Sequence, residues 1–229
     1  MIFDGDDTLW ETEPLYDEAR SEARGLVEAS GGNGSLWERL QREIDVKNVD
    51  VHGFSASRFP LSCVTACEKL FELTGWAVPG EVVQRINAVA MQVFDGRAPV
   101  RSDAEAALAL LRANGFNLGL LTKGNQEVQQ RRIESSGLAR WFDRIEIVGD
   151  KSPEVISQLV RDLGSEPRSS WLVGNSLRSD IVPAVSAGLH AIRLDAHTWE
   201  YERDYVAPPG LSFLTAGTLT SAVEQILDR

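Results

Sequence analysis

The chain has 229 residues, 43% apolar and 25% charged, proportions ordinary for a globular protein with a substantial core, built as one domain with an insertion or as two modest domains. Asp and Glu outnumber Lys and Arg by 34 to 23, and the formal net charge of −11 repels nucleic-acid backbones and anionic membranes. No stretch approaches the roughly 18 consecutive apolar residues of a membrane span, and no basic region precedes an apolar run at the N-terminus. The expectation is a cytoplasmic protein without nucleic-acid or membrane partners, acting as a monomer or homodimer.

The opening MIFDGDDTLW starts on an apolar strand, MIF, and then crowds Asp4, Asp6 and Asp7 together. Like charges this close are tolerated in a partly buried place only where a cation, a proton or a developing positive charge offsets their repulsion. MIF is short for a strand that should be central, so the chain is expected to begin upstream or the strand to be clipped.

Residues 13 to about 95 carry helical periodicity in PLYDEARSEARGLVEAS, SLWERLQREI, SCVTACEKLFELTG and PGEVVQRINAVAMQVFDG. Breaks are expected at SGGNGS (30–35), DVKNVDVHGFSASRFP (45–60) and GWAVPG (75–80). Cys63 and Cys67 lie four apart on one helix face, with only His52 nearby, a spacing that matches no common zinc pattern; buried, reduced thiols are the reading. His52, His190 and His197 are read as surface or structural.

From about residue 97 helices and short apolar strands alternate. SDAEAALALLRANG reads as a helix with Ser102 as N-cap and Gly115 as C-cap, then NLGLLT as a strand. NQEVQQRRIESSG, RIEIVG, SPEVISQLVRDLG, SSWLVG, DIVPAVSAGLH, AIRL, SFLTAG and TLTSAVEQILDR continue the alternation. This pattern implies βαβ crossovers and a doubly wound parallel sheet, an α/β core formed by residues 1–12 and 97–229 and interrupted by a small all-helical domain at 13–96.

Ligands of doubly wound sheets bind at the carboxyl ends of strands. The residues there are Asp4, Gly5, Asp6, Asp7 and Thr8 after MIF; Thr122, Lys123, Gly124 and Asn125 after LGLL; Gly149, Asp150 and Lys151 after IEIV; and Gly174, Asn175, Ser176 and Asp180 after WLV. Each could equally serve as a turn, cap or solvated residue.

In FDGDDTL, LLTKGN, DKSPE and GNSLRSD, in that order, the sequence resembles the haloacid dehalogenase-like hydrolase superfamily. Asp7 stands where glycine is usual in the first motif, and Asn175 where an acidic residue is usual in the fourth; Asn in a frame like GNSxxSD followed by TWxxE, here TWEYE at 198–202, is also similar to members of the superfamily. The resemblance implies a Rossmann-like core with a helical cap and a phosphatase-type chemistry. Asp4 would be the nucleophile and Asp6 the general acid and base. Thr122 and Lys151, with Gly5, Lys123 and Gly124, would bind the phosphate.

The resemblance also implies magnesium, held by Asp4, the Asp6 carbonyl, Asn175 and Asp180. Asn175 removes a negative charge while keeping an oxygen ligand, so metal affinity is expected to fall. Asp7 is expected to point outward or cap the following turn. The expected substrate is a small phosphate ester; Trp37, Lys47, Arg58 and Phe59 are the candidates to face it. A haloacid dehalogenase would not need Asp6, since halide leaves without a proton. A phosphomutase would keep both aspartates, and a non-catalytic binding or regulatory protein would keep the fold without the activity.

Overall fold

The structure is a computed structural model and describes residues 1–75, 77–95, 97–197, 199, 201 and 205–229. The chain divides into two compact units, one of Met1–Glu13 with Arg97–Arg229 and the other of Pro14–Gly96. Among the described residues no helix is long and apolar enough to cross a membrane.

Strand β1 (Ile2–Phe3) opens the chain and is followed by the helical unit, α1 (Glu13–Ala29), α2 (Gly34–His52), α3 (Arg58–Thr74) and α4 (Gly80–Gln92). Ala19, Ala23 and Val27 recur every four residues on the buried side of α1, and Trp37, Gln41, Ile44, Asp45 and Val49 on that of α2. Helix α2 packs on α3 and α3 on α4. The break expected at 45–60 is mostly helix. Its polar, β-branched DVKNVDVH continues α2 because Asp45 and Val49 lie on the buried face, where packing outweighs weak propensity; only 53–57 is loop. Trp37 donates its Nε1–H to the Cys63 carbonyl at 3.2 Å, and Arg58 pairs with buried Asp45 at 2.5 Å. Trp37, Arg58 and Phe59 are thus enclosed by the unit's own packing, whereas Lys47 is exposed.

The α/β unit continues with α5 (Ala104–Ala113), β2 (Gly119–Lys123), α6 (Gln126–Ser136), β3 (Arg144–Val148), α7 (Pro153–Asp162), β4 (Trp171–Gly174), α8 (Val182–Ser186), β5 (His190–Leu194), β6 (Leu214–Ala216) and α9 (Leu219–Leu227). Its six strands form one parallel sheet in the order β3-β2-β1-β4-β5-β6. Short as it is, β1 lies at the centre, with Phe3 in register with Leu120 and Val173.

Period-two alternation assigns the faces. Phe3, Leu120, Val173 and Ile192 point to the side covered by α5, α6 and α9, where Leu108, Leu111, Ile133, Leu219 and Val223 complete one core. Ile2, Leu121, Leu172 and Ala191 point to the side of α7 and α8, against Ile156, Leu159, Val160 and Ala184. Each such fully buried Leu, Ile or Phe contributes roughly 1.5–3 kcal/mol.

Both caps of α5 differ from expectation by one residue. Asp103, not Ser102, precedes α5, and its carboxylate accepts the Thr220 amide (3.1 Å) rather than capping its own helix; Gly115 lies one residue beyond the C-cap Asn114, at φ 81°. The winding of the sheet reverses between β1 and β4, the switch point at which open α/β sheets bind ligands.

Candidate active site

The loop after β1 folds back tightly on itself. The Asp4 amide donates to Val173 O at 3.0 Å, tying the loop to β4, and the Gly5 carbonyl accepts from the amides of Thr8, Leu9 and Trp10. Asp7 takes the left-handed conformation at φ 57°, where glycine is normally favoured. Its buried carboxylate accepts from the Thr12 amide and hydroxyl, both at 2.8 Å, and from the Glu13 amide at 3.0 Å, so it caps the start of α1. Burial pushes its carboxyl pKa up, and these donors oppose the shift.

Asp4 sits at the switch point with one oxygen on each side of a divided environment. Its Oδ1 accepts from Lys151, whose Nζ also donates to Asp180 Oδ1 at 2.7 Å; all three side chains are buried. Asp180 Oδ2 accepts the Ser176 amide at 3.0 Å. Two buried carboxylates therefore share one ammonium. Burial, then repulsion by Asp180, pushes the Asp4 carboxyl up to about 7 despite Lys151. Burial alone would lower Lys151, but Asp180 and Asp4 outweigh it and hold the ammonium well above its ordinary range.

On the other side, Asp4 Oδ2 accepts the Thr8 hydroxyl at 2.9 Å, and the same hydroxyl lies 3.5 Å from Asn175 Oδ1. The Asn175 amide nitrogen donates to His197 O at 3.2 Å, which turns its oxygen towards Thr8. Asn175 thus belongs to the Oδ2 side of Asp4 and Asp180 to the Oδ1 side. A single turn of π-helix, Leu177–Ile181, carries Asp180 back under the end of β4.

Asp6 points elsewhere. Its Oδ1 accepts Trp10 Nε1–H at 2.6 Å, and its Oδ2 accepts from Gln129 Nε2 at 2.8 Å and Arg132 Nη1 at 2.7 Å. The amides of Gly5 and Asp6 donate to no described residue, and the buried Thr122 hydroxyl likewise has no hydrogen-bond partner among the described residues. A side chain at Gly5 would stand 3.1 Å from that hydroxyl, so the two face one small space. These are three donors without acceptors at the ends of β1 and β2.

Lys123 donates to Ser179 Oγ at 2.8 Å and lies 3.8 Å from Asp150, linking the ends of β2, β3 and β4. Gly124 has φ 146°, and its amide donates to Val148 O at 3.1 Å, so in this structure that amide serves the turn. Of TWEYE, Thr198, Glu200 and Glu202 lie outside the described residues.

Among the described residues no three His, Cys, Asp or Glu side chains form a group that could hold a metal ion. The set on the Oδ2 side of Asp4 is instead a mixed one of hard oxygens, Asp4 Oδ2 and Asn175 Oδ1, and in the same loop the Asp6 carbonyl accepts from no described residue. With negative charge in excess there, this chemistry fits a hard cation such as magnesium. Both oxygens of Asp180 already accept protein donors, which makes it first a partner of Lys151.

Trp10, Gln129 and Arg132 do not stand at strand ends, and the motifs do not include them. The signal for two of them was legible: Gln129 and Arg132 alternate with Val128 and Ile133 on the buried face of α6, where an amphipathic helix places apolar residues.

A family model for haloacid dehalogenase-like hydrolases matches residues 1–188. The chain is 27% identical over 222 residues to glyceraldehyde 3-phosphate phosphatase of Methanothermobacter thermautotrophicus, with 92% of each chain covered. It is 31% identical over 204 residues to N-acylneuraminate-9-phosphatase of Homo sapiens, covering 83% of this chain and 79% of that one. The crystal structure of a haloacid dehalogenase-like hydrolase from Xanthomonas campestris superposes with a TM-score of 0.76 at 27% identity, covering 98% of this chain and 94% of that one.

Proposed function

The chain belongs to the haloacid dehalogenase-like hydrolase family, and on that premise we propose that it is a magnesium-dependent phosphatase that hydrolyses a small-molecule phosphate monoester through an aspartyl-phosphate on Asp4. The observation that carries this reading is the separation of two carboxylates two residues apart: Asp4 is salt-linked to Lys151, while Asp6 stands outside that link and accepts from Trp10, Gln129 and Arg132. A nucleophile acting on carbon with a halide leaving group has no use for the second.

In the first step an Asp4 oxygen forms a bond to phosphorus as the bond from phosphorus to the ester oxygen breaks, and Asp6 gives its proton to that departing oxygen. In the second, Asp6 takes a proton from water as the water oxygen bonds to phosphorus. The Asp4–phosphorus bond breaks, inorganic phosphate leaves, and Asp6 is protonated again. Lys151 neutralises Asp4 and a phosphoryl oxygen throughout. The Thr122 hydroxyl and the Gly5 and Asp6 amides, which have no acceptor among the described residues, are the donors for the remaining oxygens. Asp4 Oδ2, the Asp6 carbonyl and Asn175 Oδ1 would hold magnesium, and the charge neutralisation at the transferring group would come from it.

In this reading substrate choice belongs to the helical unit of residues 14–96, and the enzyme works in the cytoplasm, where its two buried cysteines stay as thiols. The test is phosphate release from para-nitrophenyl phosphate by wild type and Asp4→Asn, with magnesium and with a chelator. Release that requires both Asp4 and the metal is the expected result; release that survives Asp4→Asn contradicts the reading. Glyceraldehyde 3-phosphate and N-acylneuraminate 9-phosphate, named by the relatives' activities, are the first esters to screen.

A further inference from the structure

The three partners of Asp6 come from outside the strand-end motifs, and two are polar groups in a place built for apolar ones. Gln129 is 2% exposed and Arg132 3% exposed on the core side of α6, 123 and 126 residues away from Asp6 in sequence. Burying an amide and a guanidinium there is unfavourable without a matching acceptor, and apolar residues of similar volume would pack as well. Asp6 Oδ2 accepts from both, and the Lys123 carbonyl accepts from Gln129 Nε2 as well, at 3.3 Å. The third partner is admitted by a missing side chain: a methyl group at Gly5 would stand 2.5 Å from Trp10 Cζ2, so the indole reaches Asp6 only because residue 5 is glycine.

We infer that Trp10, Gln129 and Arg132 are positioning residues that orient the Asp6 carboxyl group for proton transfer and select Oδ1 as the oxygen that carries the proton. A carboxylate offers about two lone-pair directions per oxygen. Oδ2 accepts from both Gln129 and Arg132, so both of its directions are filled; among the described residues Oδ1 accepts from Trp10 alone and keeps one. The proton that leaves for the ester oxygen in the first step, and the one taken from water in the second, both reside at that remaining position. Fixing the group through both oxygens also confines it to one rotamer, which proton transfer within hydrogen-bond reach requires.

This inference rests on the proposed phosphatase reading and is tested by leaving-group dependence. A well-positioned acid matters when the leaving oxygen is basic and hardly at all when it departs as a stabilised anion. For Gln129→Leu, Arg132→Lys and Trp10→Phe, kcat/KM is measured on 2,4-dinitrophenyl, 4-nitrophenyl and phenyl phosphate, with thermal melts to establish folding. The expected result is a loss of about 10- to 100-fold on phenyl phosphate and less than about threefold on dinitrophenyl phosphate, within the range that positioned acids contribute. Three variants keep the comparison available if Arg132→Lys fails to fold. An equal loss across the series, or none, overturns the inference while leaving Asp4-dependent hydrolysis intact. Absence of Asp4-dependent hydrolysis in the wild type overturns the phosphatase reading and this inference with it.

Discussion

Asp180 rests against the bare Cα of Gly174: a methyl group there would stand 2.5 Å from Asp180 Cγ and from Oδ2. Gly174 has no positive φ to accommodate, so close approach, not turn geometry, accounts for it. Gly174→Ala is therefore predicted to push Asp180 off Lys151, destabilising the fold by about 1–3 kcal/mol as overpacking does. Turnover should fall more than this loss of stability explains. Urea unfolding read beside kcat checks both; a variant with wild-type stability and rate would show that the loop simply yields.

Stability should fall as pH rises from about 4 to 7 in the presence of a chelator. The folded-state Asp4 carboxyl is pushed up to about 7, so over this window the native state binds more protons than the unfolded one, and the slope of unfolding free energy against pH is negative for this group. The direction is opposite to that of an ordinary salt-bridged aspartate. Asp4→Asn should remove this component, and magnesium, by favouring the ionised form, should reduce it. Urea midpoints at pH 5 and 7.5, at constant ionic strength, measure each case.

Asp7 combines a left-handed backbone with a capping carboxylate, and two substitutions separate the contributions. Asp7→Gly loses the hydrogen bonds but relieves the backbone, whereas Asp7→Ala loses the hydrogen bonds and keeps the unfavourable φ. Alanine should be the less stable of the two by about 1 kcal/mol. Equal stabilities would mean that the loop relaxes out of the left-handed region.

The thiols should be inert in the native state. Burial, reinforced by Glu68, pushes Cys67 up to about 11, and burial pushes Cys63 higher still. A thiol-specific disulfide reagent at pH 8 is expected to react slowly with folded protein and rapidly with both cysteines in urea. Fast reaction of either native thiol would show that the α3 packing opens readily.

Much of the fold was legible in the chain itself. NLGLLT, SSWLVG and AIRL became strands because apolar runs of that length are covered on both faces, whereas RIEIVG, with its charged Arg144 and Glu146, became the exposed edge strand β3; Ser152 followed by Pro153 opened α7 as its cap chemistry requires. The Asp4, Thr122, Lys151 and Asn175 positions followed from strand ends. What escaped were relationships between distant segments. Local pattern did not reveal that DVKNVDVH packs on α3, that Gly174 leaves room for Asp180, or that Arg132 on α6 reaches a loop 126 residues earlier.

The central claim is that Asp4 becomes phosphorylated during turnover. The direct measurement is mass spectrometry of enzyme quenched in acid within one turnover of a phosphate monoester, followed by peptide mapping. A phosphoryl group on the peptide containing Asp4, absent from Asp4→Asn and lost on incubation in neutral water, is the predicted result. Steady turnover with no phosphoryl adduct on that peptide would contradict the account, because water would then be attacking the ester directly.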